Sequence, residues 1–186
     1  DRRVGRSGGR HGCAGGRRPG ARDAPGGAGG GGRGVLHQER ALAHADTLRG
    51  TVTPERAWWD VVHYGLQGKF DFNSRSIRAH NTISYKIISA PAKEMQIDLQ
   101  LCLDIDSIVY NSNALSFRRD GNAYFVETPA GMDSGAIQNI TVYYGGVPRP
   151  ALHPPWDGGV IWSKDKKGNP WITVACQGLG ASVWYP

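Results

Sequence analysis

The chain has 186 residues, room for one ordinary domain and some additional sequence, and its formal charge of +6 is unevenly placed. Residues 1–34 contain 14 of the 27 glycines and 8 arginines against 2 aspartates, which accounts for the whole +6; residues 35–186 hold 14 basic and 14 acidic residues. The remainder is therefore neutral with no basic stripe, so nucleic-acid binding is not expected of it, and no run of about 18 apolar residues predicts a membrane helix.

Residues 1–34 carry Val4 as their one large aliphatic side chain. So little apolar surface cannot offset the entropy of ordering, and this Gly/Arg-rich tail is expected to be disordered. It has no aromatic residue to stack on a base, which weakens the case for tail-driven nucleic-acid binding. Residues 35–57 read as a short helical lead-in. Within it, 35–49 offer good helix formers with Leu36, Ala43 and Leu48 as facing positions, and Thr53-Pro54-Glu55 reads as an N-cap, a first-turn proline and a first-turn acid.

From Trp58-Trp59 onward the period changes to two, and residues 58–186 form the expected β domain. Asp60–Leu66, Asn81–Ile88 and Ile105–Tyr110 are β-branched and aromatic runs. Between them, Met95, Ile97, Leu99 and Leu101 alternate with Gln96, Asp98 and Gln100, which predicts a half-buried strand. Ala114–Arg119 and Asn122–Glu127 flank Asp120-Gly121, a strong hairpin signal. Gln138–Tyr144 is another strand. Val160–Ser163 and Trp171–Cys176 flank a turn at 166–169, and Ala181–Tyr185 opens one more strand. Eight to ten short strands with regular turns predict an all-β, antiparallel β-sandwich.

Chemistry-bearing motifs are sparse. None of the six histidines stands in H-E-x-x-H, and His37 and His44, seven apart, read as surface residues. The odd and scattered Cys13, Cys102 and Cys176 lack ligand spacing and argue against a disulfide framework; buried structural thiols are expected at Cys102 and Cys176. Asp104 and Asp106 point the same way on a strand and read as solvated carboxylates. Two segments stand out. Pro154-Pro155-Trp156-Asp157-Gly158-Gly159 delivers a tryptophan into a tight turn and is expected to form a packed corner of the sandwich. Gln177-Gly178-Leu179-Gly180-Ala181-Ser182 sets a polar side chain among glycines, as either a bulge or a ligand-contacting loop.

LRGTVTPERAWWDVVHYGLQGKFD, MQIDLQLCLDID, VYYGG with PRPA and PPWDGGVIW, and WITVACQGLGASVWYP follow one another in an order that resembles the N-terminal domain of the aminopeptidase N family of zinc metallopeptidases, closest to a bacterial branch with a PPWDGG loop. The likeness covers residues 46–186. It implies a saddle-like β domain preceding a catalytic domain, where zinc on H-E-x-x-H plus a distal Glu activates water to attack the first peptide bond. Those elements are absent from this sequence, so the resemblance implies an inactive portion of a zinc aminopeptidase, with no cofactor of its own and the zinc belonging to the catalytic domain. By the same resemblance Gln177 matches the position that contacts the substrate's amino terminus. Gly178 would line the cleft, and the catalytic domain would pack near Trp156 and Trp184. Relatives are often exported, although no signal peptide is visible here. A second reading stays open, a free-standing β-sandwich binding carbohydrate or protein through exposed tryptophans.

Overall fold

The computed structural model describes residues 44–186; the expected tail 1–34 and the first part of the helical lead-in lie outside the described residues. Two short helices come first, α1 (His44–Gly50) and α2 (Pro54–Ala57). Ten strands follow: β1 (Trp59–Asp71), β2 (Ser76–Ile87), β3 (Glu94–Asp98), β4 (Leu103–Tyr110), β5 (Asn113–Ala114), β6 (Phe117–Asp120), β7 (Ala123–Glu127), β8 (Ile137–Gly146), β9 (Gly159–Lys164) and β10 (Pro170–Ala175). The expected all-β class and antiparallel sandwich are what the chain forms.

A five-stranded sheet in the order β1-β2-β8-β4-β5 faces a three-stranded sheet in the order β3-β7-β6, and β9-β10 make a separate two-stranded ribbon. Alternation fixes the inner face. On β2, Ile77, Ile83, Tyr85 and Ile87 turn inward, and Ile140, Val142 and Tyr144 of β8 do the same beside Leu103, Ile105 and Ile108 of β4. They meet Met95, Ile97, Tyr124 and Val126 of the smaller sheet in one core. Trp58 seals an edge of that core. It is 1% exposed, its ring stands edge-on to Tyr85 at 6.1 Å, and its Nε1 donates to the Glu94 carbonyl at 3.3 Å.

Several expectations are corrected. The Met95–Leu101 segment is a strand only through Asp98, and its polar side is covered: Gln96 and Gln100 are buried while Leu101 is exposed. Helices α1 and α2 and the C-terminal turn sit on that side. Ala181–Tyr185 opens no strand, because Gly180–Val183 form a 3₁₀ turn closed by Trp184 and Tyr185 N–H donating to the Ala181 carbonyl. The hairpin turn falls at Gly121-Asn122, one residue later than expected, with Asp120 opposite Ala123 and Gly121 at φ 57°. Thr53 precedes α2 as foreseen, but its side chain does not cap the helix; its hydroxyl donates to Gln96 Oε1 at 3.5 Å. Neither cysteine is the buried thiol expected: Cys102 is partly exposed and disulfide-bonded, and Cys176 is exposed just past β10, where the ribbon ends.

Candidate functional site

The C-terminal third places its two unusual segments side by side. After β8 the chain runs through Pro150, whose backbone bridges Val160 of β9, and the Val160 N–H donates to the Arg149 carbonyl at 2.9 Å. Between these points the 151–158 loop closes on Asp157, whose carboxylate accepts the N–H groups of Leu152 at 2.6 Å and His153 at 2.8 Å. Those two bonds, Leu152 foremost, hold the Asp157 carboxyl below the usual carboxylate range. Trp156 is left 80% exposed, so this is not the packed corner expected of it. A short loop stitched by its own aspartate has no inner surface against which the indole could pack.

Glycine is required at 159, and the fit at 158 is tight, where this loop meets its neighbours. A Cβ on Gly159 would lie 2.4 Å from the Ala151 nitrogen and 2.6 Å from the Pro150 carbonyl carbon. One on Gly158 would lie 2.9 Å from Leu179 Cδ1 and 3.2 Å from the Gln177 carbonyl oxygen. The PPWDGG loop therefore backs directly onto the Gln177–Leu179 turn. That turn is closed by Leu179 and Gly180 N–H groups donating to the Cys176 carbonyl, with Gly178 at φ 71°. Gln177 and Gly178 are both exposed at its tip. The carbonyl of Gly178 accepts Arg49 Nη1 at 3.1 Å, which ties the tip to α1.

Behind the tip, residues 179–182 form one wall of a cleft of about 380 Å³ whose other sides include Arg56, Asp60, Tyr64, Gln96, Asp98 and Tyr185. Gln177 itself stands outside this cleft, on the turn whose later residues line it. The floor is a polar network missed at the level of sequence. Gln96 Nε2 donates to the Leu48 carbonyl at 2.9 Å and to Asp98 Oδ1 at 3.0 Å. Arg56 Nη2 donates to the Leu48 carbonyl and to Asp98 Oδ2, which leaves Arg56 Nε buried without a partner. Gln100 Nε2 donates to the Ser182 hydroxyl at 3.0 Å, and that hydroxyl to the Leu179 carbonyl at 2.9 Å. Thus β3, the lead-in helices and the C-terminal turn are hydrogen-bonded to each other. The even-numbered polar residues of β3 were the available signal, but their periodicity is equally that of a solvated strand face.

The aromatic residues divide by position. Tyr64 of β1 meets Tyr185 at 5.6 Å, and Phe70 and Phe72 meet Trp162 of β9 at 6.4 and 5.3 Å, so the C-terminal segment covers the inner side of the long β1–β2 hairpin. Trp184 is half-buried against Tyr185 at 4.6 Å. Asp104 and Asp106 are exposed, and Asp104 pairs with Arg119. His44 is exposed and bonded to Asp120 at 2.9 Å; His37 lies outside the described residues. Among the described residues no three His, Cys, Asp or Glu side chains converge on a point that could hold a metal, so the site does not fit a zinc ion. No helix among them is long and apolar enough to cross a membrane.

The class defined is thus an antiparallel β-sandwich with an aromatic-rich C-terminal ribbon and a glycine-pinned exposed turn. Comparison with solved structures shows where this fold recurs. Yeast LTA4 hydrolase matches with a TM-score of 0.54 and 14% identity, covering 69% of this chain and 20% of that one. Its complex with bestatin matches at 0.52 and 15% identity over the same shares. An M1 zinc metallopeptidase from Deinococcus radiodurans matches at 0.50 and 16% identity, covering 70% of this chain and 29% of that one. At such identity the likeness shows the fold, and this chain spans under a third of the length of those proteins. No family model matches the sequence, and no curated protein matches it.

Proposed function

We propose that this chain is the substrate-side N-terminal domain of a zinc aminopeptidase, a fragment that shapes the approach to a catalytic centre carried elsewhere. The observation that supports it most is the fold likeness to metallopeptidases over about 70% of the chain, joined to an exposed Gln177 in the ACQGLGAS segment, beside a Gly178 carbonyl held by Arg49. In this reading the Gln177 side-chain oxygen accepts a hydrogen bond from the ammonium of a peptide's first residue. A carboxamide does this without the full charge a Glu would supply. Arg49, bonded to the Gly178 carbonyl, and Leu179, pressed against Gly158, keep the turn from shifting. The catalytic domain would dock on the side where Val147, Leu152 and Trp156 stand exposed. Trp184 contributes less to that surface than Trp156, being partly engaged with Tyr185.

The test begins with reading the encoding locus beyond Pro186. An open frame continuing into H-E-x-x-H with a distal Glu is expected, and a stop followed by a stable monomeric product would overturn the reading in favour of a free-standing binding module. In the full-length enzyme, Gln177→Ala should lower kcat/KM for aminoacyl substrates by about 10-fold or more, the value of one hydrogen bond to a charged group. Gln177→Glu should retain or raise it. An unchanged kcat/KM in Gln177→Ala would remove Gln177 from the site.

A further inference from the structure

The outer face of the five-stranded sheet carries a feature that the cleft does not use. Register pairs Lys69 of β1 directly with Arg78 of β2, and Gln67 with His80; His80 in turn pairs with Tyr143 of β8. These side chains all point away from the core and border an open groove of about 460 Å³ that shares no residue with the cleft. Like charges directly opposite on neighbouring strands are unfavourable. Neither Lys69 nor Arg78 is ion-paired among the described residues. On the far side of Arg78 its register partner is Gly145, which has no side chain, and the next carboxylate in that row, Asp104, is held by Arg119. Two adjacent cations thus face solvent without an ion pair among the described residues; the next carboxylate along β1, Asp71, accepts the N–H groups of Asn73 and Ser74. Beside them the half-exposed Tyr143 ring lies 5.3 Å from the His80 ring, tilted by 39°, forming an aromatic ledge.

We propose that this groove binds a small phosphate monoester carried on a ring, a sugar phosphate in chemical class. A phosphate monoester carries a charge of about −1.5 to −2 at neutral pH, which matches two cations where a monoanion would neutralise one. Arg78 offers a planar fork of donors and Lys69 a point charge to the phosphate oxygens. The apolar face of the ring rests on Tyr143, with the Gln67 carboxamide placed for its hydroxyls. Volume and chemistry together favour a small molecule: the groove is short, and it holds two cations rather than a track of them.

The experiment is an amide-shift titration of the full 186-residue chain with glucose 6-phosphate, and with glucose, glucose 6-sulfate and inorganic phosphate as companions. Saturating shifts centred on Lys69, Arg78, His80 and Tyr143 with glucose 6-phosphate are expected, with no saturation by glucose. Inorganic phosphate and glucose 6-sulfate should each bind more weakly, the first lacking the ring and the second the second charge. The double variant Lys69→Gln with Arg78→Gln should bind at least about tenfold more weakly. Its Tm without ligand should be equal or higher, because an unfavourable pair has been removed. The proposal is overturned if glucose 6-phosphate produces no saturating shifts, if the double variant binds it equally well, or if the sulfate ester binds as tightly as the phosphate. Binding only to a long polyanion such as heparin, with a steep salt dependence, would also overturn it.

Discussion

Substituting Gly159 by alanine tests whether the PPWDGG loop is held by backbone contact. The added Cβ would meet the Ala151 nitrogen at 2.4 Å, the Pro150 carbonyl carbon at 2.6 Å and the Pro150 oxygen at 2.8 Å, all main-chain atoms that cannot rotate aside. Ordinary van der Waals contact begins near 3.4 Å, so one strand must retreat by about 1 Å. That displacement falls on two hydrogen bonds, Val160 N–H to the Arg149 carbonyl at 2.9 Å and Ala151 N–H to the Val160 carbonyl at 3.3 Å. Overpacking costs about 1–3 kcal/mol and each weakened bond about 0.5–1.5 kcal/mol, giving a loss of roughly 3 kcal/mol. For a folded unit of this size that lowers Tm by roughly 10 °C. Gly168→Ala provides the control, because Gly168 has φ 87° but nothing within 4 Å of the added Cβ. It should lose only the left-handed backbone cost of about 1–2 kcal/mol. Urea and thermal unfolding of both variants decide the matter, with amide shifts of Gln177 and Leu179 reporting whether the disturbance crosses at Gly158. If Gly159→Ala is no less stable than Gly168→Ala, the close approach is not what pins the loop.

Two further outcomes are expected from the same physics. Trp58→Ala should cost about 3–5 kcal/mol and Trp156→Ala within about 0.5 kcal/mol, since the first indole fills the core and the second projects into solvent; equal urea midpoints would refute the assignment of their roles. The folded pKa of Asp157 is depressed by the Leu152 and His153 N–H groups, so its stabilisation of the loop is complete above the ordinary aspartate value of about 3.9 and is lost as pH falls through the lower folded value. The Leu152 and His153 amide shifts should therefore titrate together below that ordinary value and lose the titration in Asp157→Asn; a midpoint at or above it would contradict the loop geometry.

Much of the fold was legible because strand periodicity is local. The β-branched and aromatic runs inside β2, β4 and β8 name those strands without reference to any partner, and Asp120-Gly121 and residues 166–169 place two turns to within a residue. The β1–β2 hairpin, which turns at 72–75 where strands were expected to end at Leu66 and begin at Asn81, was not marked. Gln177 could be singled out from its setting among glycines. That the turn bearing it backs onto Gly158 could not, because the two segments are separated by the whole β9–β10 ribbon. The error at β3 has the same origin. Gln96, Asp98 and Gln100 alternate as a solvated face would, and only the arrival of α1, α2 and the C-terminal turn converts that face into a hydrogen-bonded floor. Ala181–Tyr185 carries strand-like residues, yet no sheet edge is presented to it, and the chain closes into a 3₁₀ turn instead.

By itself, then, the sequence determined the class of fold, the runs that become its main strands, the neutrality of the β domain and the candidate turn. Tertiary structure decided which polar face is covered, that Trp156 stands exposed, and that Lys69 and Arg78 stand side by side in a chain region with no net charge. Periodicity records which way each side chain points, whereas the neighbour it meets is set by strand register and by segments far away in the chain.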